Sequence, residues 1–194
     1  MPISFSVAIL AGGKSSRMGT DKALLPWQNT TIVEHMAQTM RSVADSVTLI
    51  GEPGRYRNLG LPRIADIRPG LGPLAGLETA LSAAQTRWSV VLPCDMPGVG
   101  ADVLAMLCEA AGRSNSRAVL LRDASGAIHP LCGLYRRDCL PDIQRALDAS
   151  QLRLMDVVER IGPEYIGIAF CIPNINTPEQ WSAAVHCGES VHGN

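Results

Sequence analysis

Val7-Ala8-Ile9-Leu10-Ala11-Gly12-Gly13-Lys14-Ser15-Ser16-Arg17-Met18-Gly19-Thr20-Asp21-Lys22 runs from an unbroken apolar stretch into a glycine turn and then to the cations Arg17 and Lys22. An apolar run without alternation is the pattern of a strand buried on both faces, as in the middle of a parallel sheet. Gly12 and Gly13 lack a Cβ, so the turn can adopt positive φ and bring backbone N–H groups up to an anion. Arg17 would add a planar fork of donors and Lys22 a point charge. Taken alone, the stretch fits either a phosphate cradle or an ordinary strand-to-helix connection with surface cations.

Outward from that stretch, strand-like runs alternate with helical periodicity, which predicts a mostly parallel sheet covered by helices. Ile32, Val33, Met36, Met40 and Val43 recur at helical spacing behind Thr30 and Thr31, so a capped amphipathic helix returns the chain to a second strand at Val47 to Ile50. Arg63-Ile64-Ala65 reads as a third strand leading to Asp66, and Arg68 to Gly76 as a Pro/Gly-rich shaped loop. That loop opens a helix marked by Leu74, Leu77 and Leu81, with its N–H groups near the helix's positive end. A fourth strand, Ser89 to Leu92, stops at Pro93-Cys94-Asp95-Met96-Pro97. Val103, Leu104 and Leu107 mark a helix ending around Gly112. Ala118 to Leu121 reads as a strand, and Leu131 to Tyr135 pairs back antiparallel because the connection is too short for a crossover helix. Ile143 with Leu147, and Leu154 with Val157, Val158 and Ile161, outline two helices around Ser150. Tyr165 to Ile172 reads as the last strand, before a helix capped within Asn174 to Glu179.

With 194 residues the chain is expected to form one domain with a substantial core, and with only 4% aromatic residues that core must be aliphatic. Lys and Arg number 17 against 18 Asp and Glu, so no global field points to nucleic acid or to a membrane surface, and an anion site must be local. The start of the chain has no cationic leader, and no window approaches about 18 apolar residues, so the expected location is cytoplasmic. Cys94, Cys108, Cys132, Cys139, Cys171 and Cys187 form no C-x-x-C pair and read as structural thiols. His129 and Cys132 have a spacing a metal could use, but no second pair completes a zinc site.

Ligands of a parallel sheet bind beyond the carboxyl ends of its strands. Gly12 to Lys22 follow the first strand, Asp66 the third, Asp95 the fourth, and Asn174 and Asn176 the last. Two prolines fix the backbone around Asp95. Gly13-Lys14-Ser15 is not the end of a Walker A loop, because the glycine required five positions earlier is Ala8, and the G-x-G-x-x-G spacing is also missing. Arg17 and Lys22 could neutralise phosphates while Asp95 holds Mg²⁺, a hard ion that takes one or two carboxylates along with phosphate oxygens and water. Those parts suit displacement at phosphorus, where positioning and charge neutralisation dominate.

Together, Leu10 to Ala23, Gly72-Pro73-Leu74-Ala75-Gly76, Pro93-Cys94-Asp95-Met96-Pro97 and Asn174-Ile175-Asn176-Thr177-Pro178-Glu179 resemble, in order and over nearly the whole chain, the molybdenum cofactor guanylyltransferase family. The resemblance implies a Rossmann-like three-layer α/β/α fold of the nucleotide-diphospho-sugar transferase type, mostly parallel with one antiparallel strand. It implies that Leu10, Ala11, Gly12 and Gly13 bind GTP, that Lys22 contacts its phosphates, that Asp66 lies near the guanosine and that Asp95 holds Mg²⁺. Arg17 would stabilise departing pyrophosphate, and Asn174 or Asn176 would face molybdenum-loaded molybdopterin, the second substrate. Molybdenum-insertion proteins and acceptor molybdoenzymes are implied as transient partners.

Cytidylyltransferase relatives resemble Ala-Ala-Gly in the first loop and lack the Gly72 to Gly76 loop. A sugar-nucleotide pyrophosphorylase, or a GTP-binding module without chemistry, remain as alternatives. The resemblance departs after the second strand, where relatives can carry a nucleotide-contacting Asn and this chain has Ile50-Gly51-Glu52. His129 reads as a turn residue rather than a pterin contact, Asn174 fits a helix cap as well as a substrate contact, and Arg137, Arg145 and Arg153 read as a solvated face.

Overall fold

The computed structural model describes residues 3–11, 21–52, 54 and 56–191, with side chains in the last helix described through Val185. Strand β1 (Phe5–Ala11) leads by way of a short hairpin, β2 (Pro26–Trp27) and β3 (Thr30–Thr31), to helix α1 (Ile32–Arg41). The chain continues with β4 (Ser46–Gly51), β5 (Arg63–Ile64), α2 (Pro73–Ala83), β6 (Trp88–Pro93) and α3 (Ala101–Arg113). It closes with β7 (Ala118–Arg122), β8 (Ile128–Arg136), α4 (Leu140–Asp148), α5 (Leu154–Ile161), β9 (Glu164–Gly167) and α6 (Pro178–Val191).

Seven strands form one sheet in the order β5-β4-β1-β6-β8-β7-β9. The paired neighbours are parallel except around β8, which runs antiparallel to both β6 and β7. Alternate residues of each strand enter opposite cores, as period-two geometry requires. On β1, Phe5, Val7, Ile9 and Ala11 join Met36 and Met40 of α1 and Leu104 and Leu107 of α3, whereas Ala8 meets Leu74, Leu77 and Leu81 of α2. On that second face α4 and α5 complete the cover with Ile143, Leu147, Val157 and Val158. The fold is therefore a mostly parallel, three-layer α/β/α arrangement with an antiparallel strand, as expected. Among the described residues no helix is long and apolar enough to cross a membrane.

Local chemistry explains the element ends. Thr31 caps α1 through a reciprocal box: its N–H donates to Glu34 Oε2 at 2.9 Å, and its hydroxyl accepts from Glu34 N at 3.4 Å. Register along β7 and β8 jumps from Leu120 opposite Gly133 to Leu121 opposite His129, so residues 130–132 bulge at Pro130, which has no N–H to give the ladder.

The last strand is shorter than expected. Pairing to β7 ends at Gly167 in place of Ile172, and two bonds, Ile168 N to Arg122 O and Ala124 N to Phe170 O, tie down the next residues. Beyond them Ile172 and Ile175 turn into the core, so their apolarity serves a loop and not a strand. The cap of α6 is Thr177, whose hydroxyl accepts Gln180 N at 3.3 Å while Gln180 Oε1 accepts Asn176 N and Thr177 N. Asn174 is exposed.

Candidate active site

Strands β4 and β5 lie on one side of β1 and β6 lies on the other, so the chain order switches between β1 and β6, and it is in the crevice beyond the carboxyl ends at such a switch that sheets of this kind bind ligands. Leu10 stands opposite Pro93, and Cys94 N donates to Leu10 O at 3.0 Å, which keeps the two exits side by side. Asp95 sits immediately after that bond. Its backbone carbonyl accepts Ile175 N at 2.8 Å, and the fully buried Ile175 side chain anchors the 174–176 segment against the exit of β6.

Lys22 enters from the other side on a single 3-10 turn, Lys22–Leu24. Its Nζ donates to Asn176 Oδ1 at 2.6 Å and lies 4.0 Å from Asp95 Oδ2. Three segments distant in sequence thus meet at one point. Lys22 is tied to the neutral Asn176 and stands at the limit of an ion pair with Asp95, so the Asp95 carboxylate is only partly compensated. Burial accordingly raises its pKa, against opposing influences from Lys22 and a backbone hydrogen bond.

The turn that presents Lys22 is itself held. Asp21 Oδ1 accepts Ala23 N at 3.1 Å as its cap, and Asp21 Oδ2 accepts the hydroxyl of Tyr56 at 2.7 Å. Tyr56, 3% exposed, comes from the connection after β4 and was not among the residues expected at the site. No sequence signal separates it from an ordinary core aromatic.

Asp66 follows β5 as expected, with Oδ1 buried and without a hydrogen-bond partner among the described residues, and desolvation raises its pKa. A carboxylate oxygen left in that state has an outstanding demand for a donor. Leu10 contributes its side chain to the close approach of α2: a Cβ at Gly76 would lie 3.1 Å from Leu10 Cδ1. Ala11 is buried at the end of β1. Gly12, Gly13 and Arg17 lie outside the described residues. The loop ahead of α2 uses Gly70 at φ +84° and Gly72 at φ +78°, conformations that side chains strain to adopt. Glu52 is exposed after β4.

His129 was read as a turn residue, but it lies in β8, paired with Leu121, and reaches back to the 123–126 turn that precedes the strand. Its Nε2 lies 2.9 Å from Asp123 Oδ2, while Asp123 Oδ1 accepts Ser125 N, Ser125 Oγ and Ala127 N. Hydrogen bonds from Ser125 and His129 hold the Asp123 carboxyl well below the usual range. Among the described residues no three metal-ligating side chains cluster, so an ion at Asp95 would need phosphate and water oxygens to complete its shell. The cysteines with described side chains are unbridged, and burial pushes Cys94, Cys132 and Cys139 up to about 12.

The model of the MobA-like NTP transferase domain matches residues 7–163, which span β1 through α5. The chain belongs to the MobA-like NTP transferase family. As a family member it is a nucleotidyltransferase. It is 34% identical over 187 residues to a "Probable molybdenum cofactor guanylyltransferase" of Carboxydothermus hydrogenoformans, covering 92% of this chain and 93% of that one. The "Molybdenum cofactor guanylyltransferase" of Pseudomonas aeruginosa is 33% identical, with 90% and 91% covered. In fold it resembles the crystal structure of "Molybdopterin-guanine dinucleotide biosynthesis protein A" from Archaeoglobus fulgidus, at a TM-score of 0.81 and 21% identity over 95% of this chain and 99% of that one.

Proposed function

We propose that this MobA-like NTP transferase transfers GMP from GTP to molybdenum-loaded molybdopterin and releases pyrophosphate. The observation that carries the reading is the meeting of Lys22, Asp95 and Asn176 at the β1–β6 crevice. The relatives named for this activity support the choice of substrates.

In this reaction an oxygen of the pterin's terminal phosphate forms a bond to the α-phosphorus of GTP. The bond from that phosphorus to the bridging oxygen breaks, and its electron pair leaves with pyrophosphate. Lys22 neutralises the triphosphate from a fixed position, and Arg17 would stabilise the departing pyrophosphate. Leu10, Ala11, Gly12 and Gly13 are assigned to GTP binding, and Asp66 meets the demand of its buried oxygen with a donor from the nucleoside. Asn176 orients Lys22, and exposed Asn174 stands toward the acceptor. Asp95 fits Mg²⁺, since its under-compensated carboxylate favours a cation and phosphate oxygens can supply the remaining ligands. A bound Mg²⁺ would draw charge from the reacting phosphate oxygens.

Pyrophosphate release with molybdopterin as acceptor tests the reading when GTP, CTP, UTP and ATP are compared as donors. GTP alone should support turnover, chelation should abolish it, and Lys22→Ala or Asp95→Asn should lower it by at least a hundredfold, on the order of losing a transition-state electrostatic contact. Efficient turnover with CTP would move the chain to the cytidylyl-transferring relatives. GTP-dependent thermal stabilisation without product would make it a binding module.

A further inference from the structure

We infer that Tyr56 is a positioning residue that sets Lys22 through Asp21. The inference rests on the reading of Lys22 as the triphosphate contact. The sequence of contacts is continuous. The Tyr56 hydroxyl donates to Asp21 Oδ2 at 2.7 Å, and Asp21 Oδ1 accepts Ala23 N at 3.1 Å. Leu24 N then donates to Asp21 O at 3.0 Å and Leu25 N to Lys22 O at 3.1 Å, which closes the turn around Lys22. From that turn Lys22 Nζ reaches Asn176 Oδ1 at 2.6 Å.

Tyr56 can act as a fixed post because it is itself held twice. Its ring is buried in the core that contains Met36, Met40 and Leu49, and its carbonyl accepts Arg63 Nη1 at 2.8 Å. A 3-10 turn of three residues has too few internal hydrogen bonds to define one geometry alone. The hydrogen bond from a buried phenol to a carboxylate is of the strong, charge-assisted kind, and it joins the turn to the β4–β5 connection. Lys22 therefore arrives at the crevice with its direction already chosen, and the nucleotide need not order it on binding.

The test is a double-mutant cycle on nucleotide affinity, measured by calorimetry on the full chain without acceptor. Tyr56→Phe removes only the hydroxyl. Asp21→Ser removes the same bond from the other end while keeping a side chain able to cap Ala23 N. Each variant should weaken GTP binding roughly tenfold, the size of one charge-assisted hydrogen bond. Asp21→Ser also removes a negative charge near the triphosphate, which by itself would tighten binding, so a loss there points to position. In a Lys22→Ala background neither substitution should weaken binding further, whereas general damage to the pocket would add to the loss from Lys22→Ala. An equal loss in both backgrounds, or undiminished affinity in folded Tyr56→Phe, would overturn the inference. Should Tyr56→Phe fail to fold, Asp21→Ser answers the same question. If the wild-type protein prefers another nucleoside triphosphate, the guanylyl reading fails, and the cycle run with that nucleotide still decides the part played by Tyr56.

Discussion

Asp95 holds a negative charge in a place that resists it. Burial raises its pKa despite Lys22, so the folded protein binds a proton there more tightly than the unfolded chain does. A carboxyl raised on folding contributes stability below its unfolded value and loses that contribution as pH climbs through the folded value. Metal-free Asp95→Asn should therefore melt higher than the wild-type protein at neutral pH, and the difference should vanish as pH falls below the ordinary carboxylate range. Thermal unfolding across that pH range checks both limbs, and equal melting temperatures at neutral pH would show that Lys22 compensates the charge fully. Lys22 and Asp95 were legible in the sequence because a charge after a buried strand has few structural reasons to be there. Tyr56 was not, since burial alone accounts for an aromatic residue, and only the distance from its hydroxyl to Asp21 reveals a second task. Asn174 or Asn176 was read as facing the second substrate, and the bond from Lys22 to Asn176 is a contact that reading did not include.

At the level of elements, glycine spacing carried more information about backbone than about ligand. The segment Gly72 to Gly76 was singled out as a family motif, and both of its glycines have packing reasons: Gly72 turns at φ +78° ahead of α2, and Gly76 admits Leu10 of β1. Gly133 is a sharper case that the sequence did not announce. A Cβ there would collide with Leu120 Cδ2 and lie 3.1 Å from the carbonyl oxygen of Val119, inside the β7–β8 ladder beside the bulge. Leu120 is fully buried, so its side chain has little room to retreat. Gly133→Ala should destabilise the protein by about 1–3 kcal/mol, the usual cost of overpacking a core, measured by denaturant unfolding. The length of β9 was misread for a related reason: hydrophobic periodicity reports burial, and Ile172 and Ile175 are buried by a loop crossing toward Asp95. The β2–β3 hairpin was missed because two-residue strands leave no periodic trace, although Gln28 at φ 51° marks its turn.

Across the whole molecule, the alternation of runs was enough to expect two cores on either side of a sheet, but not the ties that hold helices to the rim of the crevice. Glu78 is one such tie, a carboxylate 1% exposed on α2. Arg68, on the loop that follows Asp66, brings Nε to 3.2 Å from Glu78 Oε2 and Nη1 to 2.6 Å from Asp148 Oδ1 at the end of α4. One guanidinium therefore spans the loop, α2 and α4. Among the described residues Glu78 Oε2 accepts no hydrogen bond, so the positive charge of Arg68 is what compensates its burial. Removing that charge alone should cost more than removing both, because an uncompensated buried carboxylate is worse than an apolar pair of similar volume. Arg68→Met should lower the melting temperature at neutral pH, and Arg68→Met combined with Glu78→Met should recover most of the loss. A deficit unchanged in the double variant would assign the role of Arg68 to its contact with Asp148.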